Sequence, residues 1–151
     1  MDFSTFDEAL DLAIGREAAA VQFYTDLLAL ASFAAQKSVL EEFRAMETGH
    51  VTMLTNIRMR GRIELSATAA VDLALARRLD AEDKATAVMS FQDILVSAIK
   101  KEERAGDLYA DLAAAASVPE VKEIFQRLAA EESRHRRYFE ELYESEISRD
   151  N

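Results

Sequence analysis

The pentapeptide EESRH, residues 131–135, contains one of only two histidines in this chain. The other histidine ends the pentapeptide METGH, residues 46–50, and in both stretches a glutamate lies three residues before the histidine. Residues three apart project from the same face of an α-helix. Each pentapeptide therefore places a carboxylate beside an imidazole, provided that both stretches are helical.

The two pentapeptides belong to an internal repeat that aligns without a gap at an offset of 85 residues. The identical pairs include Phe6 and Phe91, Leu10 and Leu95, Ala13 and Ala98, Ile14 and Ile99, Glu17 and Glu102, Ala20 and Ala105, Tyr24 and Tyr109, Leu27 and Leu112, Glu47 and Glu132, and His50 and His135. A repeat at a fixed period indicates a duplicated structural unit. The chain is therefore predicted to contain the same helical unit twice.

The composition favours an all-α protein, because 50% of the residues are hydrophobic and only one proline and four glycines interrupt the chain. Four helices are predicted, over about residues 5–32, 37–60, 90–116 and 119–147. Thr5 with Glu8 and Ser90 with Asp93 have the spacing of N-terminal caps. Arg58, Arg60 and Gly61 are typical of a helix end.

Short turns join the first two helices and the last two, so each pair is predicted to form an antiparallel hairpin. Hairpin one covers about 5–60 and hairpin two about 90–147. The crossover over about 61–89 contains AVDLALARRL (70–79), which is predicted as a short helix. The fold expected for residues 1–151 is a single domain, an all-α four-helix bundle of two repeated antiparallel hairpins joined by a long crossover.

Each predicted helix has an apolar seam with a heptad-like rhythm, and polar residues interrupt all four seams near their middle. The interrupting residues are Glu17, Tyr24, Glu47, His50, Glu102, Tyr109, Glu132 and His135. Glu102 and Glu132 lie on their seams and are expected inside the bundle. Glu103 and Glu131 lie one residue off the seams and are expected to be solvated. Four glutamates and two histidines should thus meet at one level of the core.

Four buried carboxylates need compensating charge, which two divalent metal ions would supply. Imidazole and carboxylate together suit iron, manganese or zinc. One glutamate from each of two helices and Glu-x-x-His from each of two others is the ligand set of dimetal carboxylate bundles. Glu17 and Glu102 would complete or bridge the pair. The alternative is that the polar residues only fix helix register. Tyr24 and Tyr109 are either core aromatics or side chains that hold a ligand carboxylate.

The bulk charge and the terminal sequence limit the classes of partner. The net charge of −10 argues against nucleic acid and anionic membranes as partners. The absence of cysteine excludes disulfides and thiolate-held iron within this chain. The acidic start of the sequence is unlike a signal peptide, and no apolar run is long enough to span a bilayer. A cytoplasmic protein is expected.

The segments AIGREAAAVQFY (13–24), FRAMETGH (43–50), AIKKEERAGDLY (98–109) and LAAEESRH (128–135) resemble the helices of the rubrerythrin-like family in the ferritin-like superfamily. The resemblance implies a di-iron site that reacts with peroxide or dioxygen. Carried over residue by residue, its metal ligands are Glu17, Glu47, His50, Glu102, Glu132 and His135.

Two departures from rubrerythrins proper affect the expected chemistry. The cysteine-ligated rubredoxin module is missing, so an external electron donor is required. Ala105 stands where that family has an additional glutamate, which leaves a symmetric ligand set like that of bacterioferritins. The leading hypothesis is a homodimeric di-iron peroxidase or oxidase. Alternatives are a ferroxidase that handles iron, a substrate hydroxylase of the quinone-modifying type, and a non-catalytic metal-binding bundle. Exchange of a hairpin between two chains is compatible with the long crossover.

Overall fold

Four long helices make up most of the described chain, which comprises residues 3–4, 6–64, 71–72 and 89–150 of a computed structural model. The helices are α1 (Phe6–Leu28), α2 (Lys37–Glu64), α3 (Phe91–Ala115) and α4 (Pro119–Asp150), with a 3-10 helix at Ala31–Gln36 before α2. Two short strands, β1 (Phe3–Ser4) and β2 (Val71–Asp72), pair antiparallel.

The helix ends follow local sequence signals in part. The Ser90 side chain accepts a hydrogen bond of 3.0 Å from the backbone N–H of Asp93, which confirms the predicted cap of α3. Pro119 occupies the first position of α4, where its missing N–H costs nothing. Thr5 lies outside the described residues, so its predicted cap stays a prediction.

Three boundary predictions differ from the structure. Helix α1 ends at Leu28 rather than near residue 32, because the backbone of Leu30 is extended and starts the 3-10 helix. Helix α2 does not end near Gly61 but continues to Glu64. In agreement with this, no described glycine has the positive φ of a helix-ending cap. The short helix predicted over 70–79 is wrong at Val71–Asp72, which form β2, and its other residues lie outside the described chain.

The two hairpins are α1 with α2 and α3 with α4, and they meet through α1 against α3 and α2 against α4. Two apolar clusters fill the two ends of the bundle. The start of α1 and the end of α3 share one cluster, in which Phe6, Leu10, Leu112 and Phe125 are among the buried residues. The other cluster joins the end of α1 to the start of α3. Helices α1 and α3 are therefore antiparallel, and the predicted all-α four-helix bundle is confirmed.

Among the described residues, no single helix is long and apolar enough to cross a membrane. Helix α1 and the following segment Ala31–Arg60 meet the length and composition criteria only as a pair, and that pair is bent by 110°.

Candidate metal centre

A layer of buried polar side chains separates the two apolar clusters, and it contains all six predicted metal ligands. None of the six is more than 5% exposed, although glutamate and histidine are seldom fully buried. Each helix supplies its residues from the seam position predicted by the repeat. The structure thus brings together Glu17 from α1, Glu47 and His50 from α2, Glu102 from α3, and Glu132 and His135 from α4.

The six side chains form two overlapping groups, and in each group the potential ligand atoms lie within 4.8 Å of one another. One group consists of Glu17, Glu47, His50 and Glu132, and the other of Glu47, Glu102, Glu132 and His135. Glu47 and Glu132 belong to both groups, which is the arrangement of bridging carboxylates. Glu17 and Glu102 each belong to one group, so the geometry favours them as terminal ligands and not as bridges.

Both histidines direct Nδ1 toward the carboxylates. The Nδ1 atom of His50 lies 3.4 Å from Glu17 Oε2 and 3.3 Å from Glu132 Oε1. The Nδ1 atom of His135 lies 3.2 Å from Glu47 Oε1 and 3.6 Å from Glu102 Oε2. Each histidine therefore faces carboxylates from other helices as well as the glutamate on its own turn.

Unsatisfied polar atoms support a metal-binding interpretation of this layer. Within the described chain, each of the six side chains has a potential ligand atom that faces this layer and is buried without a hydrogen-bond partner. These atoms are Glu17 Oε2, Glu47 Oε1, His50 Nδ1, Glu102 Oε2, Glu132 Oε1 and His135 Nδ1. Such groups are costly to bury unless something else satisfies them. Carboxylate oxygens and imidazole nitrogens fit divalent iron, manganese or zinc, so the residues present suit a dimetal centre.

The electrostatics of this polar layer also indicate a need for positive charge. Burial raises the pKa of Glu47 well above its usual value, and the neighbouring Glu17 carboxylate adds to that shift. Burial and the Glu102 carboxylate do the same to the pKa of Glu132. Burial lowers the pKa of His50, but the close carboxylates of Glu132 and Glu17 outweigh it and raise the value to about 10. Glu47, Glu132 and His50 therefore favour their protonated forms until cations balance the charge of the layer.

Two tyrosines hold the terminal carboxylates by crossed hydrogen bonds between α1 and α3. The Tyr24 hydroxyl donates to Glu102 Oε1, and the Tyr109 hydroxyl donates to Glu17 Oε1. In both glutamates the second oxygen, Oε2, is the unsatisfied atom. Each tyrosine thus occupies one oxygen of a carboxylate and leaves the other for a ligand. Both rings also pack in the core, so the two interpretations of these tyrosines are compatible, and a role in holding metal ligands stays a prediction.

The prediction that Glu131 is solvated was wrong. Its Oε2 atom lies 2.5 Å from Nε2 of His50, and its side chain is only 27% exposed. A long side chain one residue off the seam of α4 can reach the histidine on α2, which a seam pattern alone does not reveal. Glu103 is exposed, as predicted.

A small cavity of about 20 Å³ lies beside the polar layer, between α1 and α3. Six pairs of residues related by the repeat line it. The pairs are Arg16 and Lys101, Glu17 and Glu102, Ala20 and Ala105, Phe23 and Leu108, Tyr24 and Tyr109, and Glu47 and Glu132. No signal in the sequence indicated a role for Arg16. Its buried guanidinium donates a hydrogen bond of 3.4 Å to the Lys101 carbonyl. This volume has room for a molecule the size of water or peroxide.

The bundle and its central layer of glutamates and histidines define the class, which is that of the ferritin-like proteins. The rubrerythrin family model matches residues 93–150, which include Glu102, Glu132 and His135. A solved structure of a hypothetical protein from Pyrococcus furiosus has the same fold, with a TM-score of 0.71 and 21% identity over 92% of this chain and 88% of that one. Comparison with curated proteins gives no match. The family match over the second hairpin and the shared fold support a resemblance of this chain to the rubrerythrin-like family of ferritin-like proteins.

Proposed function

We propose that this protein is a di-iron oxidoreductase of the rubrerythrin type, which reduces peroxide or dioxygen with electrons from an external donor. The observation that carries the proposal is the set of six buried, unsatisfied ligand atoms that converge from four helices. Two ions of charge +2 would balance the four carboxylates of this layer. Bound ferrous ions would together supply the two electrons that convert one peroxide and two protons into two waters.

The protein's own residues would hold and shape this centre. Glu47 and Glu132 would bridge the two metal positions, since both residues belong to both ligand groups. His50 and His135 would bind through Nδ1, the nitrogen that faces the carboxylates. The hydroxyl of Tyr109 fixes the terminal carboxylate Glu17 in one orientation.

The cavity between α1 and α3 supports a small oxidant as the substrate. Two alanines, Ala20 and Ala105, line it together with the carboxylates, and its volume of about 20 Å³ suits a molecule the size of water or peroxide. This observation favours peroxide or dioxygen over the substrate of a hydroxylase. Ala105 lines the cavity, so the absence of a glutamate there leaves space beside the carboxylates.

The test is stopped-flow oxidation of the ferrous-loaded protein by hydrogen peroxide, with an electron donor supplied for turnover. The expected result is oxidation faster than in the Glu47→Ala/Glu132→Ala double variant, which lacks both bridging carboxylates. Glu103→Ala is the matched control, because Glu103 is exposed on the same helix as Glu102. An oxidation rate equal to that of the double variant contradicts the proposal.

Two other functions are distinguishable outcomes of the same experiment. Fast ferrous oxidation with continued iron uptake into a large shell, measured by size-exclusion mass, would indicate an iron-handling ferroxidase instead of a homodimeric reductase. Stable binding of zinc or manganese without any reaction with peroxide or dioxygen would indicate a non-catalytic metal-binding bundle.

A further inference from the structure

The two histidines are equivalent in the sequence repeat, but their surroundings differ on the side of the ring that faces away from the carboxylates. The Nε2 atom of His50 lies 2.5 Å from Oε2 of Glu131. The Nε2 atom of His135 is buried and has no hydrogen-bond partner in the described part of the chain. The inner, ligand-facing sides of the two rings are alike, so the asymmetry is confined to their outer sides.

Two substitutions within the repeat produce this difference. Met46 occupies the repeat position of Glu131, and its sulfur accepts a hydrogen bond of 3.2 Å from Nη2 of Arg134. Phe43 occupies the repeat position of Leu128 and stacks on His135, with ring centroids 3.9 Å apart. A carboxylate therefore supports His50, whereas an aromatic ring and a buried, unsatisfied nitrogen accompany His135.

This difference bears directly on metal affinity. A neutral imidazole that binds a metal through Nδ1 carries its proton on Nε2. A carboxylate that accepts this proton in a hydrogen bond fixes the tautomer, orients the ring and makes the ligand nitrogen more basic. A buried N–H without an acceptor instead loses the hydrogen bond that it had with water. Glu131 provides such an acceptor for Nε2 of His50, whereas Nε2 of His135 is buried without one among the described residues.

We propose that Glu131 is a positioning residue that makes the two metal positions unequal. A divalent metal binds first at the position of Glu17 and His50, and a second binds more weakly at the position of Glu102 and His135. This inference rests on the dimetal site of the proposed function, and it adds an order of filling that the sequence repeat does not predict. The weaker position is the one through which metal is gained and lost.

The test is an anaerobic titration of the metal-free protein with Co²⁺, followed by calorimetry and by visible absorption, with native mass spectrometry to count bound ions. The wild-type protein is expected to bind two ions in two resolved steps. Glu131→Ala should weaken the tighter step by about 10–100-fold and shift the absorption of the first ion. Glu131→Gln, which keeps an acceptor oxygen, should weaken it less. Glu103→Ala is the control and should reproduce the wild-type titration.

A gain-of-affinity variant separates positioning from a general effect on folding. Met46→Glu supplies His135 with the missing carboxylate and should tighten the second step by roughly 10-fold. A purely structural role for Glu131 predicts no such gain. If Glu131→Ala does not fold, the Met46→Glu titration alone tests whether a carboxylate beside Nε2 of a histidine increases metal affinity.

The outcomes separate this inference from the proposed function. Two equal binding steps in the wild-type protein would overturn the inference and leave the dimetal site intact, as would an unchanged tighter step in Glu131→Ala. Failure to bind any divalent metal would overturn both.

Discussion

At the scale of single residues, the hydroxyls of Tyr24 and Tyr109 are buried, and each donates a hydrogen bond to a buried carboxylate of the other hairpin. Burial, reinforced by the neighbouring carboxylates, raises the pKa of both hydroxyls well above 10, so each remains a donor. Tyr109→Phe removes the donor and leaves Glu17 Oε1 without its partner. We expect a loss of about 1–3 kcal/mol in the unfolding free energy of the metal-free protein, measured by denaturant titration.

The control for this variant is Tyr143→Phe, since Tyr143 is partly exposed in the last turns of α4 and lies away from the carboxylates. Its unfolding free energy should stay within about 0.5 kcal/mol of the wild type. If Tyr109→Phe is equally neutral, Tyr109 contributes to stability only through the packing of its ring, and its interpretation as a support for Glu17 is wrong.

The sequence alone predicted that the six residues lie in one buried layer. The seam rhythm and the repeat are independent signals, and both select the same positions. Which helix face a residue occupies follows from its spacing. How far a side chain reaches across to another helix does not, and this is why Glu131 was misplaced. The interaction of buried Arg16 with the Lys101 carbonyl was missed for a related reason, since the Arg16–Glu17 pair reads as one charged turn in the sequence. That these six residues bind metal stays a prediction.

At the scale of helices, Gly15 in α1 and Gly49 in α2 are not required for packing. A Cβ atom added to either would meet no described atom within 4 Å apart from its chain neighbours and the backbone of its own helix, and both residues are exposed. Glycine in a helix interior costs roughly 0.5–1 kcal/mol relative to alanine. Gly15→Ala and Gly49→Ala should therefore each raise the unfolding free energy by about that amount, measured by denaturant titration.

The reciprocal control is Ala18→Gly, at an exposed position of α1 one turn from Gly15. It should lower the unfolding free energy by a similar amount. Destabilisation by Gly15→Ala or Gly49→Ala would mean that the helix surface at that position is in contact with something absent from a single chain, such as a second copy in the predicted homodimer.

The ends of the helices show where sequence signals decide and where they do not. Ser90 and Pro119 act through local geometry, and both signals proved correct. Gly61 was read as a helix stop, yet α2 continues past it to Glu64. A glycine permits a left-handed cap without imposing one, so the following residues determine whether the helix ends. The predicted crossover over 61–89 lies largely outside the described residues.

At the scale of the whole molecule, the bundle consists of two apolar clusters joined through a polar layer. This arrangement sacrifices stability in the metal-free state, because the layer holds unsatisfied carboxylates where apolar side chains would pack. Metal binding would recover that stability, as expected for a ligand that binds only the folded state. The stability of the molecule should therefore depend on metal and on pH together.

The pKa of His50 sets the direction of the pH dependence in the metal-free protein. Its folded-state value of about 10 lies above the ordinary value of 6.5, so the protonated ring stabilises the fold fully below pH 6.5. That contribution is lost as the pH rises from 6.5 toward 10. The raised pKa values of Glu47 and Glu132 act in the same direction above their ordinary value of 4.5. We expect the His50 ring alone to lower the unfolding free energy by up to about 1.4 kcal/mol per pH unit between pH 7 and 9, and the two glutamates to add to that slope.

Two comparisons check this expectation by denaturant titration at pH 7, 8 and 9. The His50→Gln variant lacks the titrating ring, so its stability should depend less on pH than that of the wild type. The metal-loaded protein should show the opposite trend, because binding requires neutral imidazoles and ionised carboxylates, and the affinity for metal therefore rises with pH. A metal-free wild type whose stability stays constant or increases over this range would contradict the assignment of a protonated His50.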